Sequence, residues 1–146
     1  MAKPITILLT LFALGAVANL PASAADAVDV YKSPYCGCCE KWVEHLRQAG
    51  FEVRTHDVND VPAARQRLGM PERLGSCHTA KVAGYVVEGH VPAADIQRLL
   101  KEKPQAVGLA VPSMPPGSPG MESPKPVAYN TLLVRTGGEI TVFAKH

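Results

Sequence analysis

Val28-Asp29-Val30-Tyr31-Lys32-Ser33-Pro34-Tyr35-Cys36-Gly37-Cys38-Cys39-Glu40-Lys41-Trp42-Val43 is the stretch on which the fold turns. It opens with a short, apolar-rich strand over Val28 to Tyr31. A helix follows, starting at Cys38 or Cys39 and running to about Ala49. Trp42, Val43, Leu46 and Ala49 fall on one stripe of it at helical spacing, and Gly50 stops it. Three of the four cysteines therefore crowd into four positions at the junction of a strand and a helix. The fourth, Cys77, lies in Ser76-Cys77-His78-Thr79.

Downstream the pattern stays mixed. Phe51 to Val58 alternates as a second strand, with Phe51, Val53 and Thr55 on one side. Pro62 opens a second helix to about Leu68, since proline is tolerated in a first turn. Val82 to Val87 reads as a third strand. Val91-Pro92-Ala93-Ala94-Asp95 leads into a third helix that buries Ile96, Leu99 and Leu100 and ends at Pro104. Residues 104–126 hold seven of the 13 prolines together with Met114 and Met121. They read as one long Pro/Met-rich loop, because proline lacks the amide proton a ladder needs. A loop of that length is mobile or functional. Tyr129 to Arg135 and Ile140 to Ala144 form a C-terminal hairpin around Gly137-Gly138. The fold class is α/β: a sandwich with a small mixed sheet flanked by helices.

The first 24 residues read as a signal peptide. Lys3 supplies a positive start, Ile5 to Ala18 is nearly unbroken apolar sequence, and Ala22-Ser23-Ala24 is a small-x-small cleavage site. The alternative, an uncleaved anchor, is disfavoured because the apolar run falls short of the roughly 20 residues a spanning helix needs. Residues 25–146 then form a single domain of a size that buries one core. The formal charge of the whole chain is +2 and aromatics are 5% of it. With neither a basic stripe nor an aromatic platform, nucleic acid is excluded as a partner, and so is membrane once the signal is removed. An exported domain of this bacterial style belongs in an oxidising compartment, the periplasm, where four thiols can pair in three ways.

A cysteine cluster that ends the first strand and opens the first helix is the placement used by thioredoxin-like folds. Unpaired amides and the dipole at a helix start favour thiolate over thiol. Cys36 and Cys39 are in C-x-x-C register, with Cys38 as an extra thiol. Thioredoxins usually carry a cis-proline facing the pair, just before the third strand. Gly75 to Ala80 contains no proline; Cys77 and His78 occupy that region. The fold therefore predicts that Cys77 faces the first cluster and completes a four-sulfur nest.

Tyr35-Cys36-Gly37-Cys38-Cys39, Ser76-Cys77-His78-Thr79-Ala80, Gly84-Tyr85-Val86-Val87-Glu88-Gly89-His90-Val91-Pro92 and Gly108-Leu109-Ala110-Val111-Pro112, followed by Met114 and Gly117-Ser118-Pro119-Gly120-Met121-Glu122, together resemble the CopG-type family. That family comprises small periplasmic proteins associated with copper resistance. The likeness covers roughly residues 28–144. It implies a thioredoxin-like fold, copper binding at the cysteine cluster and a role in copper or silver tolerance. Ser113 stands where many relatives are expected to carry glycine.

The donor types agree with copper independently of the resemblance. Thiolates and thioethers are soft ligands that select Cu(I). Cys36, Cys38, Cys39 and Cys77 supply the thiolates. Met114 and Met121 supply thioethers if the proline-rich loop folds over the site. Four thiolates around one Cu(I) leave excess negative charge in a poorly solvated pocket, which favours several ions sharing sulfurs. His78 either ligates metal or is a loop histidine bonded to backbone; His90 either reaches the same face or sits in a surface turn. His45 and His56 are expected to be exposed and His146 to be disordered. Trp42 and Leu46 are core. Three other readings use the same residues: two structural disulfides, a zinc site, and a thiol-disulfide oxidoreductase in which Cys36 attacks and Cys39 resolves. Within the copper class, storage, interconversion of Cu(I) and Cu(II), and delivery to other periplasmic copper-handling proteins stay open.

Overall fold

The computed structural model describes residues 27–146; the signal-peptide segment lies outside the described residues. The chain runs β1 (Val28–Lys32), α1 (Gly37–Gln48), β2 (Val53–Asp57), α2 (Val61–Leu68), a 3-10 turn (Glu72–Leu74), β3 (His78–Val82), β4 (Tyr85–Gly89), α3 (Ala93–Glu102), β5 (Ala106–Val111), β6 (Asn130–Arg135) and β7 (Ile140–Lys145). The strands form one mixed sheet in the order β2-β1-β3-β4-β5-β6-β7. β1 pairs parallel with β2 and β4 with β5, and every other pair is antiparallel. This is the thioredoxin-like α/β sandwich with its C-terminal hairpin.

Neighbouring residues on the central strands point to opposite cores, as a period of two requires. Val87, Leu109 and Leu133 join Val30, Ala80, Trp42, Leu46, Ile96 and Leu99 in the larger core under α1 and α3. Val86, Ala110 and Val134 join Met70 and Leu74 in a smaller one, against which Leu68 of α2 packs. Each fully buried large apolar side chain contributes roughly 1.5–3 kcal/mol. The helix signals act as read: Asp60 caps α2 by accepting from the Ala63 amide at 2.9 Å, with Pro62 in the first turn and Gly69 left-handed at its end.

Two elements differ from expectation. The single strand over Val82 to Val87 is a hairpin, β3 and β4, turned by Ala83 and Gly84 at φ 47° and 87°. Two consecutive positive-φ residues match the twist of the flanking strands. Alanine at the first of them gives no turn signal, so the two strands read as one. The proline-rich segment also contains β5. Its prolines leave Gln105 to Val111 free, and the four residues Gly108 to Val111 are buried between β4 and β6. The loop proper begins at Pro112. The alternation of β2 has no buried face to report, since it is a sheet edge and four of its five residues are exposed.

Topology gathers one end of the sandwich. Antiparallel β3 lies between β1 and β4, pairing His78 with Lys32 and Thr79 with Glu88. The start of β3 therefore meets the ends of β1, β4 and β5. The segments just beyond those ends carry Cys36 to Cys39, Cys77, His90 and the start of the long loop.

β4 and β5 approach closely at Gly108, where an added Cβ would sit 1.7 Å from the Val86 carbonyl oxygen, whereas one at Gly137 would meet nothing within 4 Å. In urea melts, Gly108→Ala is expected to lose about 3 kcal/mol or more, if it folds, since the backbone clash exceeds ordinary overpacking. Gly137→Ala is expected to stay within about 0.5 kcal/mol of the parent, as exposed substitutions do.

Candidate functional site

Cys36 occupies the N-cap of α1, with no side-chain cap bond of its own. A tight turn sets it there: its amide donates to the Ser33 carbonyl, and the Tyr35 amide to the Ser33 hydroxyl. Cys38 and Cys39 fill the first turn behind it. Cys36 and Cys39 are joined in a disulfide, their Cα atoms 5.3 Å apart; Cys38 and Cys77 are free thiols. Cys38 Sγ lies 3.4 Å from Cys36 Sγ and 3.6 Å from Cys77 Sγ, and Cys39 Sγ lies 3.5 Å from Cys77 Sγ. All four sulfurs fall within 4.8 Å of one another.

A second triad shares Cys77: its sulfur, His78 and His90 also offer ligand atoms within 4.8 Å of one another. His90 Nδ1 donates to the Pro119 carbonyl at 2.8 Å. In the neutral imidazole this leaves Nε2 as a lone pair, and it faces Cys77 Sγ at 3.1 Å. Burial holds His90 below its ordinary pKa, which keeps that lone pair free. His78 Nδ1 lies 3.5 Å from the same sulfur. Burial, with His90 alongside, pushes the His78 pKa down to about 3. Its ring rests on Trp42, centroids 4.3 Å apart, and meets His90 edge-on at 5.0 Å. Trp42 is held in turn by donating its indole proton to the Val91 carbonyl at 2.9 Å. Both histidines are fully buried: His78 opens β3 rather than sitting in a loop, and His90 is not in a surface turn. In this disulfide state burial, and then Cys38, push the Cys77 thiol up to about 12. It is therefore a protonated donor, well placed to give its hydrogen bond to His90 Nε2.

The long loop closes over this arrangement. The Ser113 amide donates to the Gly75 carbonyl at 3.1 Å, and the Ser76 hydroxyl donates to the Ser113 carbonyl. Ser113 adopts φ 63°, a left-handed conformation that glycine would take without cost. Farther along, an added Cβ at Gly120 would lie 2.6 Å from the Cys38 carbonyl oxygen and 3.0 Å from the Trp42 amide. No larger residue fits between loop and helix there. Glu122 accepts from the Gly120 amide at 2.7 Å. These contacts fix the position of the loop. Met114 itself is 46% exposed and Met121 is half-buried.

Several residues outside the cysteine and histidine motifs hold the site. Lys32, nearly buried, pairs with Glu40 and Asp57 behind the helix start. Arg65 and Glu88, both buried, form an ion pair at 2.8 Å next to Ser76. A glutamate inside Tyr85-Val86-Val87-Glu88 was the signal available in the sequence, since a charge in a buried strand needs a partner. His45 is half-buried rather than exposed, because its Nε2 accepts from the Ala93 amide at the start of α3. His146 is likewise anchored rather than disordered: it pairs with Asp95 at 2.9 Å and stacks on Tyr129. His56 is exposed, as expected.

No helix among the described residues is long and apolar enough to cross a membrane. Residues 74–121 match the family described as "Protein of unknown function, DUF411", and residues 28–73 match the glutaredoxin family. No curated protein matches the chain. Two solved structures, forms 2 and 1 of a copper resistance protein copG, are each 46% identical to it, with TM-scores of 0.80 and 0.79. Each alignment covers 84% of this chain and 98% of the other. Identity at that level across nearly the whole of those proteins, on the same fold, makes this chain a member of the copper resistance protein CopG family.

Proposed function

We propose that this protein is a periplasmic copper-binding protein of copper resistance, which holds Cu(I) in a multinuclear, redox-active cluster on Cys36, Cys38, Cys39 and Cys77. The observation that carries the reading is the convergence of four sulfurs from distant parts of the chain within 4.8 Å. Soft donors in that number suit Cu(I), and a purely structural role would not need two unpaired thiols pressed against a disulfide. Membership of the copper resistance family supports the same choice of metal. Zinc is the weaker candidate, since the usual two separated C-x-x-C pairs are missing.

His90 and His78 extend the donor set. A ring nitrogen engaged by a backbone carbonyl, with the other directed at the metal position, is the usual outer arrangement of a metal-bound histidine. Pro119 supplies that carbonyl to His90. The loop that supplies it also carries Met114 and Met121, whose thioethers are soft donors suited to the reduced ion. Residues 1–24 act as the export signal, and exchange takes place with copper ions and other periplasmic copper-handling proteins.

The disulfide gives the site its redox step. An external dithiol that exchanges with Cys36–Cys39 leaves as a disulfide, passing two electrons and two protons that release two thiols and complete the four-sulfur set. In the reverse direction the two thiols reduce two Cu(II) to two Cu(I), form the disulfide and release two protons. Binding also displaces protons from the remaining thiols, so loading weakens as the pH falls. A second reading, a thiol-disulfide oxidoreductase, is favoured by the Cys36–Cys39 disulfide at a helix start with Cys36 half-exposed. It leaves Cys77 and the loop methionines without a task.

Three outcomes test the proposal. Fully reduced protein, titrated anaerobically against a chromophoric Cu(I) chelator, is expected to take up more than one Cu(I) per chain and to exceed the capacity of the disulfide form. Saturation at one equivalent would remove the multinuclear cluster. Cys77→Ser is expected to cut Cu(I) capacity sharply while leaving disulfide exchange at Cys36 and Cys39 only mildly slowed; the opposite pattern favours the oxidoreductase. The double substitution Met114→Leu and Met121→Leu is expected to weaken Cu(I) retention about tenfold, equivalent to about 1.4 kcal/mol, with disulfide exchange unchanged. Unchanged affinity would take the methionines out of the site.

A further inference from the structure

The Ser76 peptide is held from both ends by one buried ion pair. Its amide donates to Glu88 Oε1 at 2.8 Å, and its carbonyl accepts from Arg65 Nη2 at 2.7 Å. Arg65 Nε donates to the same Glu88 oxygen at 2.8 Å, and Nη1 reaches Glu72 at 2.9 Å. Glu88 is fully buried and Arg65 is 2% exposed. The guanidinium packs so closely on Gly75 that an added Cβ would lie 2.8 Å from Arg65 Cζ.

Such a pair is poorly explained as a stabiliser. Taking two charges out of water costs much of what their attraction returns, and apolar replacements of similar volume are often neutral or better. Its hydrogen bonds converge on the residue that precedes Cys77. Ser76 and Gly75 are also the two residues that clasp Ser113 at the start of the loop. Cys77 is the one thiol that α1 does not carry, so nothing in the helix fixes its distance from the other three. Thioredoxin-like folds generally use a cis-proline at this place, but no peptide bond among the described residues is cis.

We propose that Arg65 and Glu88 are positioning residues: their ion pair sets the Ser76–Cys77 backbone, and through it both the reach of Cys77 to the helix thiols and the seat of the loop. The inference rests on the reading of the four sulfurs as a working site, but its test needs no copper. In the disulfide form Cys38 and Cys77 are the free thiols, 3.6 Å apart. Phenylarsine oxide bridges two such thiols, forming two arsenic–sulfur bonds and releasing one water, and does so only when both sulfurs are in register.

The experiment measures the rate of this capture, with folding followed by thermal melts, in the parent, in Glu88→Gln and in the paired Arg65→Met, Glu88→Leu variant. The glutamine keeps an oxygen for the Ser76 amide and Arg65 Nε, so its capture rate is expected to stay within about threefold of the parent. The apolar pair is expected to stay folded, with a lower melting temperature because the Ser76 amide and carbonyl lose their partners, and to slow capture by about tenfold or more, since misplacing a reacting group by about 1 Å can cost on the order of 100-fold. A folded apolar-pair variant that captures the arsenical at the parent rate would overturn the proposal. So would failure of both variants to fold, which would make the pair a stability element. Parent-like Cu(I) loading with slowed arsenical capture would instead count against the copper reading and leave the positioning role standing.

Discussion

Antiparallel β3, inserted between two strands that run the other way, is the constraint from which the rest follows. Its pairing of His78 with Lys32 and of Thr79 with Glu88 brings the entrance of one strand to the exits of three others. A slip by one residue would send Cys77 and His78 to the wrong faces. The register is well defended, because His78, Ala80 and Val82 fill one buried face, while Lys81 on the other face is exposed. The chemistry at the end of the sandwich is a direct product of sheet topology: a helix start, a strand start and a loop start share one place because the connections allow little else.

The two faces of the sheet contribute differently to that place. Under α1 and α3, Trp42, His78 and His90 form a buried wall of tilted and edge-on rings beside the sulfurs. Within it the histidines stay neutral, so they present lone pairs rather than positive charge to the thiols. On the other face the groups are ionic, and Arg65, Glu72 and Glu88 lie behind the Ser76 peptide. The thiols sit between a wall of neutral donors and a buried charged bracket. Soft-metal binding and disulfide exchange both benefit from this, since each needs sulfurs held close together.

What could be read from the sequence was what depends on local pattern. The strand-helix junction at Cys36, the helical stripe of Trp42 and Leu46 and the C-terminal hairpin each carry their own signal. So did the absence of proline before His78, which led to the expectation that Cys77 faces the helix thiols. The hairpin at Ala83 and β5 after Pro104 were missed for physical reasons. Alanine seldom turns a hairpin, and a proline-free run of seven residues is easily lost between prolines. His45 and His146 were misjudged because their partners, the Ala93 amide and Asp95, are remote in sequence. Arg65 was invisible for the same reason: its three partners come from three different segments, and only folding brings them to one guanidinium.

Gly120 has a consequence of its own. Loop and helix touch there backbone to backbone, with the His90 ring alongside, at a contact that involves no sulfur and no charged group. Evolution can therefore tune how readily the interior is reached by altering a single hydrogen-sized gap, while every donor atom keeps its identity. Since the same loop supplies the Pro119 carbonyl to His90, a change that opens the interior also loosens a donor.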